Sequence, residues 1–322
     1  MAEWVIRTRR DLSLHMRRRM ARQLISDAAL READLHKQQP SKHEIGLRES
    51  KLAKDLSGAV QQTVELFVQR LRYLGPLRSE PRAIYGFPAS PESRDIGLKG
   101  QYVASVLEQH KDVKVTYPVP PTSDIEVGTS RQGSLIQGIT EWLKHMGLVE
   151  DIATRDRGKM GYELTVHSPG IKRSLDLTNV GVGVSQVLPT LTMALLAPKN
   201  AVLLFEQPEL HLHPRVQSIL GDFFLALALM GSQCIVETHS EYIVNRIRRR
   251  IAEAEGTTLS DLTSIYFVEL EGGASQFRRV EANKYGAILE WPKGFFDEGP
   301  SEAQLIMQAA MGKRTKSRAE TR

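Results

Sequence analysis

Residues 201–214 read AVLLFEQPELHLHP: an apolar run stops at Glu206, Gln207, Pro208 and Glu209, and two histidines, His211 and His213, precede Pro214. Groups of these types at this spacing offer two chemistries. In an extended chain His211 and His213 point the same way and can chelate a metal, which with one of the glutamates would make a metal-dependent hydrolase. A catalytic zinc normally wants a third protein ligand and helical histidine spacing, and nothing nearby supplies these cleanly. The other chemistry is that of a magnesium-bound triphosphate. It requires a carboxylate fixed at the tip of a buried strand and a neighbour that positions or deprotonates the attacking water. Glu206 stands where the first is needed, able to hold magnesium through water. Gln207 and Glu209 are candidates for the second, although an amide can orient water but cannot take up its proton.

Elements that can hold such groups are legible on both sides. The run 201–205 reads as a buried strand, and 214–230 as a helix with Val216, Ile219, Leu220, Phe223, Phe224 and Leu227 on its inner face. QCIVE is a second apolar strand, followed by THSEYIVNRIRRRI as helix. Fully apolar strands alternating with helices belong in a parallel sheet covered on both faces. Ligands gather at the carboxyl ends of such strands, where Glu206, Gln207, Glu209, Thr238 and His239 fall. Upstream, GVGVSQVLPTLTMALL reads as a helix opened by glycines, offering backbone N–H groups and the Ser185 hydroxyl to an anion. YELTVHSPGIKRSLDL reads as a β-hairpin and GSLIQGITEWLKHMGL as an amphipathic helix. Residues 1–40 read as helix, and Leu52, Leu56, Val60, Val64 and Phe67/Val68 form one apolar helical stripe. Glycines and prolines make 73–88 and 110–130 irregular. SIYFVEL and SQFRRVE alternate around Gly272-Gly273 as a hairpin, and Trp291, Phe295 and Phe296 look like the packing anchor of a small C-terminal domain.

Composition narrows the classes. The chain has 322 residues, 41% of them hydrophobic and 25% charged, with a net charge of +5. A single cysteine, Cys234, excludes an intramolecular disulfide framework and a cysteine zinc cage. No apolar run approaches the roughly 20 residues that cross a bilayer, so no membrane partner is expected. The N-terminus has no secretory apolar core, and the expected location is the cytoplasm. Arginines cluster at positions 7, 9, 10, 17, 18, 19 and 22 and again at 246, 248, 249 and 250, and KRTKSR lies near the C-terminus. Such clusters suit a DNA phosphate backbone, and equally a solvated helix face.

Together, the order and spacing of these segments resemble the ABC-type ATPase fold of the RecF, SMC and OLD-like AAA ATPases, over roughly residues 175–250. NVGVGVSQVLP is similar to the signature segment, which implies nucleotide-binding roles for Gly181, Gly183, Ser185 and Gln186. AVLLFEQPE resembles Walker B, LHLHP occupies the D-loop with His213 where aspartate is usual, and IVETHS resembles the switch strand, making His239 a γ-phosphate sensor. YLGPLR and EANKYGAILEWPKGFFDE are similar to a subgroup with a small C-terminal domain of uncharacterised function. The resemblance implies an α/β, P-loop NTPase-like fold: the C-terminal part of an ATPase core, a parallel sheet flanked by helices, plus a small α+β domain. The expected divisions are 1–72, helical and Arg-rich; 73–262, the ATPase part; and 263–322, the small domain and basic tail.

Two departures shape the expected function. Gln207 occupies the position where the family has its catalytic glutamate, which implies slow hydrolysis. A phosphate-binding loop of the form Gly-x-x-x-x-Gly-Lys-Ser/Thr does not occur in these 322 residues. The expectation is therefore the C-terminal part of an ATPase, from a truncated or split gene, or a degenerate subunit. ATP and Mg2+ are the implied cofactors, and a homodimer or a P-loop-bearing ATPase is the implied partner, to which Ser185 and its neighbours would be offered in trans. Three functions follow: an ATPase-type protein in DNA maintenance or phage defence, a non-catalytic interaction subunit, or the metal-dependent hydrolase.

Overall fold

A computed structural model describes residues 3–8, 54–87, 93–123, 125–171, 173–290, 302 and 304–311. The N-terminal arginines from 9 to 22, the aromatic segment 291–298 and the KRTKSR tail lie outside the described residues. The chain divides into two units, Arg9–Val68, and Met1–Thr8 with Gln69–Arg322. In the first, Lys54–Val64 forms helix α1, and the chain runs on through a π-helical turn, Glu65–Arg70. Val60, Val64 and Val68 of the apolar stripe are exposed.

The larger unit is organised by a six-stranded sheet. Its strands are β1 (Glu3–Thr8), β2 (Leu71–Leu74), β8 (Val202–Glu206), β9 (Gln233–Thr238), β10 (Thr263–Glu271) and β11 (Ala274–Val280), in the order β11-β10-β1-β9-β8-β2. β2, β8 and β9 run parallel. Val202, Leu203 and Phe205 of β8 are buried, on both faces of the strand, whereas β9 alternates, with Cys234, Val236 and Thr238 buried on one face and the residues between them half-buried. The crossover between β8 and β9 is α5 (Pro214–Leu229), and α6 (Glu241–Glu253) follows β9. A short helix, α7 (Thr258–Leu262), leads into β10.

Between β2 and β8 the chain builds α2 (Val103–His110), the β3/β4 hairpin (Lys114–Pro118 and Ser130–Ser134), α3 (Leu135–His145), a three-stranded antiparallel sheet β5-β6-β7 (Asp151–Asp156, Tyr162–His167, Leu175–Asp176) and α4 (Val182–Leu196). Ser134 caps α3 by accepting from the Gln137 N–H, and Trp142 on that helix is fully buried with its indole N–H donating to the Pro118 carbonyl at 2.7 Å. Trp142 stacks edge-on against Phe223 of α5 with ring centroids 4.9 Å apart, joining this insertion to the sheet-covering helix.

Two sequence expectations are revised. Residues 3–8, read as part of an N-terminal helix, are strand β1, paired antiparallel with β9 on one side and β10 on the other. The segment EWVIRT carries β-forming Trp, Val and Ile, and ladders on both sides decide its state over the arginine-rich helical pattern that follows it. The sheet is therefore mixed and not purely parallel. The β10–β11 hairpin forms as expected, with Ile265 opposite Val280 and Glu271 opposite Ala274, but it extends the main sheet through β1. The division expected at residue 262/263 thus falls inside one sheet.

Candidate functional site

Three neighbouring parallel strands, β2, β8 and β9, end on the same side of the sheet. β8 delivers Glu206, half-buried and in register with Glu237 of β9. Its carboxylate makes no hydrogen bond or ion pair among the described residues, while its backbone carbonyl receives a long contact of 3.5 Å from Arg78 Nη1. An unpaired carboxylate at a strand tip is one oxygen donor of the kind a hard cation takes.

The chain then turns sharply. Gln207 has φ 43° and His211 φ 60°, both in the left-handed region that non-glycine residues rarely enter. Gln207 also precedes Pro208, which normally forces an extended conformation on the residue before it. Neighbouring bonds hold this geometry: the Gln207 N–H donates to Glu237 O at 2.9 Å, Leu210 N–H to Gln207 O at 3.3 Å and Leu212 N–H to Glu209 O at 3.0 Å. The turn buries Glu209, 7% exposed, and brings its Oε1 to 2.6 Å from the His239 N–H; its Oε2 has no partner. Glu209 therefore ties the end of β8 to the end of β9 and leaves the His239 ring exposed.

Behind this turn the helices are locked together. Thr238 Oγ1 accepts from the Ser240 N–H, Ser240 caps α6 by accepting from the Ile243 N–H, and its hydroxyl donates to Gln217 of α5. Gln217 Nε2 in turn donates to the Leu212 carbonyl at 2.8 Å. His213 is the cap of α5: its Nδ1 accepts from the Arg215 N–H at 3.2 Å, with Pro214 at the first helical position. Replacing His213 with alanine is expected to lower stability by about 1 kcal/mol, with asparagine preserving most of it, measured by thermal denaturation. His213 thus uses Nδ1 in the cap, and His211 is exposed on a left-handed turn. No cluster of three or more His, Cys, Asp or Glu side chains suited to a metal gathers among the described residues.

The segment after β2 contributes a residue that the motif reading left without a role. Gly75 N–H donates to Leu98 O and Ser79 N–H to Lys99 O, both at 2.8 Å, so residues 75–79 are strapped along a neighbouring turn. Between these anchors Leu77 faces outward, 65% exposed, and Arg78 turns inward, 9% exposed. Among the described residues Arg78 Nε and Nη2 have no partner, and burial pulls its pKa down to about 10, partly offset by the nearby Glu209, Tyr73 and Glu206. The one signal in the sequence was an arginine four residues beyond an apolar strand end.

The glycine-opened helix is α4. Gly181 caps it without a side chain, and a Cβ there would meet nothing within 4 Å. A Cβ on Gly183 would touch Leu148 and Leu212 at ordinary van der Waals distances of 3.4 and 3.7 Å, which places the start of α4 beside the turn carrying Glu209. Ser185 is buried and donates its hydroxyl to Val182 O at 2.7 Å; Gln186 is half-buried. No described hydrogen bond joins residues 181–186 to Glu206, Gln207, Glu209 or His239. The structure thus gathers Arg78, Glu206, Gln207, Glu209 and His239 directly and leaves the signature-like residues on an adjoining helix.

The arginines of α6 are engaged inside the chain. Arg246 and Arg250 both bind Asp222 of α5, Arg249 binds Glu253, and Arg248 donates to Gly286 O and to Asn245.

Residues 27–245 match the model of a family described as "AAA domain, putative AbiEii toxin, Type IV TA system", and residues 260–303 match a "Protein of unknown function (DUF3696)". Among solved structures, the chain is similar to one from work on the ATP-driven dimerization and DNA-stimulated activation of SMC ATPases, at 14% identity and TM-score 0.36, over 46% of this chain and 83% of that one. It is also similar to an SMC head bound to the C-terminal winged-helix domain of ScpA, at 14% identity and TM-score 0.37, over 61% of this chain and 52% of that one. A search of curated proteins gives no match.

Proposed function

This chain belongs to the AAA-domain family, and on that premise we propose that it binds ATP with magnesium and hydrolyses it slowly, as a dimer or with a P-loop-bearing partner. The reading is supported by Glu206 and Glu209 standing at the end of β8 beside the end of β9, where Glu209 accepts from the His239 N–H. Glu206 would hold magnesium through water, Glu209 and Gln207 would act on the water to be activated, and His239 would face the terminal phosphate. Bound magnesium would supply neutralisation of phosphate charge. The residues fit this group: one carboxylate is unpaired at a strand tip, and two nitrogens of the buried guanidinium beside it lack partners among the described residues.

Gly181 supports a site shared with a second molecule. Its φ is −59°, and a Cβ would meet nothing within 4 Å among the described residues. A ligand or partner approaching the first turn of α4 would account for glycine there, with Gly183, Ser185 and Gln186 beside it and His213 on the facing turn. The decisive assay is phosphate release from Mg-ATP by the chain, alone and with any protein that copurifies with it; no turnover in either preparation removes the hydrolytic reading. Gln207→Glu tests the same site, because a carboxylate there can take the proton that the amide cannot. We expect a rate increase of about tenfold or more, read as kcat for phosphate release.

A helper subunit that binds a partner without turning over nucleotide is the second reading, and Gln207 favours it. Work on DNA, in genome maintenance or phage defence, and a cytoplasmic location belong to the first reading. The α6 arginines lend the DNA role little support, since Asp222, Glu253 and Gly286 already engage them.

A further inference from the structure

We propose that Arg78 is the anion receptor of this site, placing a phosphate group at the carboxyl ends of β2 and β8. The proposal rests on the nucleotide reading above and deepens it by naming the residue that would take the terminal phosphate.

Unmet hydrogen bonds single out this side chain. A guanidinium carries five N–H donors, and a buried one is retained when they are satisfied. Arg78 is 9% exposed and makes one long contact, Nη1 to Glu206 O at 3.5 Å, while Nε and Nη2 have no partner. Those two nitrogens form one edge of the planar fork, the edge that matches two oxygens of a phosphate or carboxylate. The side chain is aimed, because backbone bonds at Gly75 and Ser79 fix the segment on either side of it. An arginine serving only as a strut would be expected to close on Glu209, the nearby buried acid. No ion pair joins the two, and Glu209 Oε2 is itself without a partner.

A buried cation and a buried anion that stand apart, each with an open polar atom, leave a place for a group that accepts on one side and donates on the other. A phosphate accepts from Arg78, and a protonated oxygen or a metal-held water donates to Glu209. A metal ion cannot take the Arg78 side of this place, because a guanidinium offers donors alone. Glu206 is the group left for the cation, so cation and anion have separate receptors within one site.

The test compares wild type, Arg78→Met and Arg78→Lys by thermal denaturation with no ligand, with inorganic phosphate and with Mg-ATP. Wild type should gain roughly 4–8 °C at ligand concentrations near 100 times Kd, Arg78→Lys less, and Arg78→Met nothing. Without ligand, Arg78→Met should melt at or above the wild-type temperature, since it replaces an unpaired buried cation with an apolar chain of similar length. A clear loss of ligand-free stability in Arg78→Met marks a structural strut and overturns the proposal. An equal Mg-ATP shift in wild type and Arg78→Met also overturns it while leaving nucleotide binding intact. A phosphate shift lost in Arg78→Met, with no Mg-ATP shift in any variant, supports the anion site and removes the nucleotide reading. No shift of wild type with either ligand overturns the anion site.

Discussion

Replacing Asp222 with alanine is expected to cost about 3 kcal/mol of folding stability, read from the denaturant midpoint at unchanged slope. Asp222 is fully buried in α5, among Phe223, Phe224 and Leu220 in sequence, and it is the acceptor for two arginines of α6. Arg246 Nη1 reaches Oδ2 at 2.8 Å, Arg250 Nε reaches Oδ1 at 2.7 Å, and Arg250 Nη2 reaches Oδ2 at 3.0 Å. Breaking a buried pair from one side costs about 3–5 kcal/mol, because the remaining charge keeps its desolvation penalty without its partner. The lower end applies here, since both guanidinium side chains remain 20% exposed and can recover some water. The helices are also close: a Cβ on Gly221 would lie 3.2 Å from Arg246 Cβ and from Ile243 O, so α6 cannot shift inward to fill the gap. The milder change Asp222→Asn, which keeps the shape and one acceptor oxygen, should recover part of the loss. A cost below about 1 kcal/mol for the alanine variant would show that the α5–α6 interface does not depend on this carboxylate.

Changing Glu206 to glutamine is expected to lower Mg-dependent phosphate release by roughly 100-fold or more while leaving the melting temperature within a degree or two. The two halves of that expectation have different origins. Structurally, the Glu206 side chain supports nothing that is described: its place in the sheet comes from backbone pairing with β9, and only its carbonyl is contacted by Arg78. Chemically, the amide keeps the size and one acceptor oxygen but removes the negative charge a divalent cation needs. A factor of 100 corresponds to about 2.7 kcal/mol of barrier, the scale of one electrostatic partner in a water-poor site. Retention of full Mg-dependent turnover by Glu206→Gln would move the metal away from the tip of β8 and with it the whole assignment.

Arg246 and Arg250 show how far sequence and structure can part. As letters they belong to NRIRRR, a basic run of the kind that binds phosphate backbones. In the fold they sit four apart on α6, on one face, and that face meets Asp222 from a helix some 24 residues earlier in the chain. No local pattern contains that pairing. Glu209 behaves in the same way: its spacing marked it as a site carboxylate, but its bond to the His239 N–H depends on β8 and β9 being neighbours. Arg78 lies in a segment whose letters show an irregular stretch and a family likeness, and its burial at the site follows from straps to residues 98 and 99.

By itself the sequence determined the alternation of apolar strands and helices from 201 to 253, and the carboxylates and histidine that stand at the strand ends. Those features are local, set by hydrophobic period and by the residues that stop a strand. Tertiary structure decided that β1 is a strand, that the C-terminal hairpin extends the main sheet, which arginines are already paired, and that Arg78 faces Glu206 and Glu209. Each of these depends on which distant segment supplies the opposite ladder or the opposite charge, and a residue's own neighbours in the chain carry no record of that.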